Sequence, residues 1–114
     1  VLKLCLINLT KNSLDAFGEC DKETKHIRLK FSKASGRLKM DFEDNASGIP
    51  RDKLDQIFDP FFTTKDNGTG LGLYILQSEV MKIGGNLTVE SVPGEGTVFH
   101  LELPIEEEMK DERK

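Results

Sequence analysis

The residues with the clearest chemistry are Gly68-Thr-Gly-Leu-Gly-Leu73, which open a helix-forming run directly after Phe58-Asp-Pro-Phe-Phe-Thr-Thr-Lys65. A glycine-rich turn at a helix start offers N–H groups without intrahelical partners and the positive end of a helix dipole, a combination that holds an anion. Lys65 adds a point charge beside it, so the expected ligand is a nucleotide or another phosphate. Asn8, Asn12 and Asp15, spaced by four and three, fall on one stripe of a helix. Neutral amide carbonyls can ligate a hard cation such as Mg²⁺ and leave its charge to act on phosphate oxygens. Taken alone the triad reads as a solvated helix face; the phosphate loop shifts it toward a site. Asp44-Asn-Ala-Ser-Gly48 follows a strand-like run. Its carboxylate can accept a hydrogen bond from an amino group on a ligand ring, as adenine offers, or serve a local turn. Thr97, after Gly94-Glu-Gly96, joins that chemistry only if its hydroxyl faces Asp44.

These groups need elements to hold them. Apolar side chains at Leu2, Cys5, Leu6, Leu9, Ala16 and Phe17 predict one helix over 2–17, stopping near Gly18. Alternating runs over 26–32 and 37–43, joined by 33–36, predict a hairpin. The loop-rich stretch 44–69 holds a short helical piece over 51–57 and is where a site can be built. A second helix is expected over 71–83, closed by Gly84-Gly85, and a second hairpin over 86–92 and 97–103 around Pro93-Gly-Glu-Gly96. Two helices on one face of a mixed, mostly antiparallel sheet give a two-layer α/β sandwich. The expected organisation is one domain over 1–104 and a charged tail over 105–114, whose Glu106-Glu107-Glu108 reads as solvated.

Composition limits the alternatives. The 114 residues carry a net charge of −4, with 37% hydrophobic and 32% charged side chains, which fits an ordinary globular domain. No basic stripe is available to bind a phosphate backbone, so a nucleic-acid partner is not expected. No apolar run approaches the roughly 20 residues of a membrane span and no secretory leader is visible, so the expectation is a cytoplasmic domain without membrane contact, whether or not its parent is anchored. Cys5 and Cys20 have no paired-cysteine or metal-ligand spacing and are read as reduced thiols. His26 and His100 sit in separate strand-like runs and are not candidates for shared chemistry. Serine-elbow, Walker-lysine and paired-histidine metal sequences are absent.

Five segments together resemble a known family. Asn8-Leu-Thr-Lys-Asn12, Asp44-Asn-Ala-Ser-Gly48, Phe58-Asp-Pro-Phe-Phe62, Gly68-Thr-Gly-Leu-Gly72 and Gly94-Glu-Gly-Thr97 are similar, in order, to the N, G1, F, G2 and G3 boxes of the GHKL superfamily. The resemblance is greatest to the catalytic and ATP-binding domain of bacterial sensor histidine kinases of the nitrogen-regulation type, with a short ATP lid. It implies a Bergerat ATP-binding fold. By that resemblance Asn12 coordinates Mg²⁺ on the ATP phosphates and Asn8 assists. Asp44 binds the adenine amino group, Thr97 supports it through water, and Gly48 lets the backbone approach the base. Thr64, Lys65 and Gly68 line the phosphate end, and the amides of Gly70, Leu71 and Gly72 cradle the phosphates. Phe58, Phe61 and Phe62 form a lid hinge and partner contact, or else simply pack in the core. Only Asp66 and Asn67 separate Lys65 from Gly68, so the lid is very short.

The implied activity is transfer of the ATP γ-phosphoryl group to a histidine on a separate helical dimerisation domain, with a response regulator downstream. Neither His26 nor His100 has the context of an acceptor. A rival within the same superfamily is an ATP-hydrolysing clamp like MutL or the heat-shock chaperones, since Lys11-Asn-Ser-Leu-Asp-Ala16 resembles the MutL helix. Such clamps place a glutamate base where this chain has Asn8, and an amide accepts no proton usefully. A nucleotide-binding module without transfer activity is the third reading. It draws on two departures: Ala46 stands where the family has a glycine, and the strand that precedes the first helix in the family is missing from this sequence. If residue 46 needs a positive φ or close approach to the base, its methyl costs about 1 kcal/mol, and Ala46→Gly is expected to tighten ATP binding.

Overall fold

The computed structural model describes residues 1–62 and 72–105. Helix α1, Leu2–Phe17, buries a stripe of Cys5, Leu9, Ser13 and Phe17 at helical spacing. Three of the four are the apolar residues that forecast the helix; Ser13 is the fourth. Gly18 ends the helix in the right-handed region, at φ −65°, so its freedom is not used there.

Strands β1, Ile27–Ala34, and β2, Arg37–Asp44, form the first hairpin. The link is tighter than the expected 33–36. Ser35 and Gly36, at φ 54° and 74°, make a two-residue turn whose twist matches the flanking strands. Helix α2 is one turn, Arg51–Leu54, shorter than the forecast 51–57. Helix α3 runs Gly72–Lys82. Gly84, at φ 83°, then reverses the chain while the Gly85 N–H donates to the Val80 carbonyl at 2.9 Å, satisfying an orphan acceptor of the last turn. Strands β3, Asn86–Val92, and β4, Gly96–Pro104, close the fold.

The sheet order is β1-β2-β4-β3, and every pairing among the described residues is antiparallel rather than mixed. Alternation along β4 turns Thr97, Phe99, Leu101 and Leu103 toward the helices and His100 and Glu102 to the opposite face. The core joins Met40, Phe42, Leu87 and Leu101 of the sheet to Cys5, Leu9, Leu76 and Val80 of the helices. This is the two-layer sandwich that the sequence implies. Both cysteines are free, as expected; burial pushes the Cys5 thiol up and leaves it a small core residue. None of the described helices is long and apolar enough to cross a membrane.

Candidate functional site

Asp44 ends β2, and only 7% of it is exposed. Each carboxylate oxygen has its own donor: the Ser13 hydroxyl donates to Oδ2 at 2.6 Å, and the Ala46 N–H donates to Oδ1 at 3.1 Å. The local-turn reading therefore holds for one oxygen, while helix α1 supplies the other. Asn45 looks the other way. Its Oδ1 accepts the His26 N–H at 2.8 Å and its Nδ2 donates to the Thr24 carbonyl at 2.7 Å, pinning the segment before β1. Ala46 is buried and does not have a positive φ, so the backbone does not demand glycine there. That half of the expectation about residue 46 is overturned.

Thr97 lies opposite Asp44 in the β2–β4 register and is likewise buried. Its hydroxyl is 3.0 Å from that of Ser91, which also accepts the Ile49 N–H at 2.8 Å and lies 2.8 Å from the Gly96 carbonyl. Ser91 has one proton. With that proton on Gly96, Thr97 donates to Ser91 and keeps its own lone pairs as acceptors beside Asp44. Two glycines allow this closeness. A Cβ on Gly48, at φ 79°, would lie 2.5 Å from the Val92 carbonyl oxygen, and a Cβ on Gly96, at φ 142°, would fall on the Asp44 carbonyl oxygen. The Gly94 N–H donates to the Ser47 carbonyl at 2.6 Å, completing the clasp between the 44–48 loop and the β3–β4 hairpin.

The Asn8 and Asn12 candidates lie on α1, which packs against α3. The Asn8 amide nitrogen donates to the Leu4 carbonyl at 2.9 Å, which fixes how the amide lies. Its Oδ1 is 3.9 Å from where a Cβ on Gly72 would stand, at the first residue of α3. A neutral oxygen acceptor thus lies near Gly72, the first described residue of α3. Asn12 follows one turn along α1, half-buried, and Asp15 lies exposed beyond it. Thr64, Lys65, Gly68, Gly70 and Leu71, together with the short segment at Asp66 and Asn67, lie outside the described residues, as does the tail over 106–114.

The three phenylalanines separate. Phe58 packs edge-on against Phe99, with centroids 6.4 Å apart at 81°, and Phe62 rests half-buried on the core. Phe61 is 72% exposed and has φ 69°, unusual for a bulky residue. Core packing accounts for the first two and not for the third.

Ser13 and Ser91 escaped the sequence reading, although a hydroxyl within the stripe of Cys5, Leu9 and Phe17 was a visible signal. A histidine pair site is not found: His26 precedes β1, while His100 stands on the open face of the sheet, its Nδ1 2.7 Å from Asp41 and its Nε2 2.5 Å from Glu90. The Asp41 hydrogen bond raises the His100 pKa; burial opposes it, and the hydrogen bond to Glu90 adds to the rise. A hollow of about 400 Å³ reaches the site only at Ser47 and Gly94. Convergent polar groups, not that void, mark the site.

Residues 1–107 match the family model described as histidine kinase-, DNA gyrase B-, and HSP90-like ATPase. The chain is 38% identical over 112 residues to the sensor histidine kinase ZraS of Klebsiella oxytoca, covering 98% of this chain and 24% of that protein. It is 40% identical over 102 residues to the C4-dicarboxylate transport sensor protein DctB of Rhizobium meliloti (strain 1021), covering 90% of this chain and 16% of that protein. This sequence therefore spans a quarter or less of these relatives. Among solved structures, the catalytic domain of histidine kinase ThkA superposes with a TM-score of 0.73 at 33% identity, covering 90% of this chain and 65% of that one. Full-length ShkA in complex with AMPPNP gives 0.75 at 29%, covering 90% and 21%. With the fold, the motif order and these likenesses in agreement, the chain belongs to the histidine kinase-, DNA gyrase B- and HSP90-like ATPase family, as a catalytic domain of the histidine kinase kind.

Proposed function

We propose that this domain binds Mg-ATP and donates the γ-phosphoryl group to a histidine on a separate helical dimerisation domain of its parent kinase, which in turn serves a response regulator. The observation that supports the reading is that one helix, α1, brings side chains to both polar groupings. Through Ser13, α1 reaches the buried carboxylate of Asp44, and through Asn8 it brings an amide oxygen near Gly72 of α3. The nucleotide in the ShkA structure, AMPPNP, supports the same ligand class.

Within this proposal Asp44 accepts the adenine amino group and Thr97 backs it through water, with Gly48 and Gly96 keeping the two backbones close. Asn12 holds the metal, with Asn8 beside it. Their chemistry fits, since a hard cation takes neutral carbonyl oxygens and the Asn8 nitrogen is already committed to Leu4. When bound, Mg²⁺ offsets charge on the transferring phosphoryl group. The Gly70, Leu71 and Gly72 amides, with Gly68, Thr64 and Lys65, would complete the phosphate end, and the short segment between Lys65 and Gly68 would order around nucleotide. That short lid is the feature that favours the nitrogen-regulation type. Catalysis by these residues is positioning: they fix the phosphoryl group while a docked imidazole attacks in line.

Asn8 also bears on the rival clamp reading. An amide whose nitrogen donates to Leu4 cannot act as a base for water. Incubating the chain with γ-labelled ATP, with and without the parent's helical histidine domain, separates the two. Transfer expects label on the helical domain and little free phosphate; hydrolysis without added domain, at a rate the domain does not change, contradicts it.

A further inference from the structure

The buried stripe of α1 is apolar at Cys5, Leu9 and Phe17 and polar at Ser13, which is 2% exposed. A serine in a helix commonly turns its hydroxyl back to the carbonyl four residues earlier. Ser13 instead reaches out of its helix to Asp44, 31 residues on, at 2.6 Å. A hydroxyl buried in a core register is costly unless bonded, and this one is spent wholly on a single carboxylate oxygen. The other oxygen is held by the Ala46 N–H. Donors on both oxygens, one from the helical layer and one from the carboxylate's own loop, stop the group from swinging.

A carboxylate has about four acceptor positions. Two are taken, and the group is nearly closed to solvent, so the remaining capacity points in fixed directions and suits a donor brought by a ligand. An amino group on a purine ring satisfies it. A ring that offers hydrogen or a carbonyl at that place leaves the carboxylate unmatched or faces it with a like dipole, the kind of mismatch by which buried polar sites discriminate.

We propose that Ser13 is a positioning residue for Asp44, holding its carboxylate as an oriented acceptor and thereby setting the preference for a 6-amino purine nucleotide. This rests on the reading of Asp44 as the base acceptor. Three nucleotides test it by calorimetric titration: ATP, GTP, and purine riboside triphosphate, which carries hydrogen in place of the amino group. Wild type should prefer ATP to both. Ser13→Ala should lose about three- to ten-fold in ATP affinity, the equivalent of one net hydrogen bond, and bind purine riboside triphosphate as wild type does. Ser13→Thr, which keeps the hydroxyl, should restore the preference. In the chain without nucleotide, the Asp44 carboxyl carbon resonance should move in Ser13→Ala and return toward wild type in Ser13→Thr.

An equal loss for ATP and purine riboside triphosphate would reduce Ser13 to a packing role and overturn the proposal. So would a full wild-type preference in Ser13→Ala. No preference in wild type itself would overturn the base-acceptor reading and the proposed specificity together, and the carbon resonance would still report whether the tie to Asp44 exists.

Discussion

Strand β2 carries two aspartates, Asp41 and Asp44, on opposite faces of the same sheet. Asp44 faces the helices, is 7% exposed, and takes its donors from a neutral hydroxyl and a backbone N–H. Asp41, with its side chain 44% exposed, pairs with His100, whose ring also meets Glu90. One carboxylate is oriented by groups that hold no charge; the other is joined to a group whose charge comes and goes. Burial decides what each arrangement can do. The inner pair fixes the direction of a buried carboxylate, and the outer cluster ties three strands with interactions that solvent weakens.

The sharpest way to break the inner arrangement is through its backbone. Gly96→Ala drives a Cβ onto the Asp44 carbonyl at φ 142° and should cost about 3 kcal/mol or more, read as a lowered denaturation midpoint. Gly36→Ala is the control in the first hairpin: at φ 74° with no atom within 4 Å of the added Cβ, it should cost only about 1 kcal/mol. Equal losses would deny that the clasp at the site is tighter than an ordinary turn. Ala46→Gly comes next. Because Ala46 is buried without a positive φ, the glycine should destabilise by about 1 kcal/mol through chain entropy and a lost methyl. A gain in stability would restore the expectation that residue 46 needs glycine.

The smallest effect is on the outer face. The folded His100 pKa is raised above its unfolded value near 6.5, first by the hydrogen bond to Asp41. Its contribution is therefore fully present below that unfolded value and is lost as pH rises through the folded one. For so exposed a cluster the loss should be about 0.5 kcal/mol or less. Urea midpoints of wild type, compared with His100→Asn, should show this component falling as pH rises above about 6.5. A component that grows with pH would contradict the assignment.

Much of this was legible in the residues because it is local. The helical period of Cys5, Leu9 and Phe17, the glycines after α3, and each of the five boxes lie within short stretches of chain. What stayed hidden depends on register. Nothing in the sequence sets Asp41 opposite His100, or puts Glu90 diagonally from it across β3 and β4. Ser13 was hidden differently: one hydroxyl in an apolar stripe looks like tolerated noise until the end of β2 is seen to bring a carboxylate to it. One half of the concern over Ala46 assumed a positive φ, which the residue does not adopt.

The most direct test of the difference between the two faces is calorimetric titration of ATP, with and without Mg²⁺, into wild type, Asp44→Ala and Asp41→Ala. The account predicts Mg²⁺-dependent binding by wild type, a loss of about 100-fold or more in Asp44→Ala, and a change within about two-fold in Asp41→Ala. Equal affinity in Asp44→Ala and wild type would contradict it.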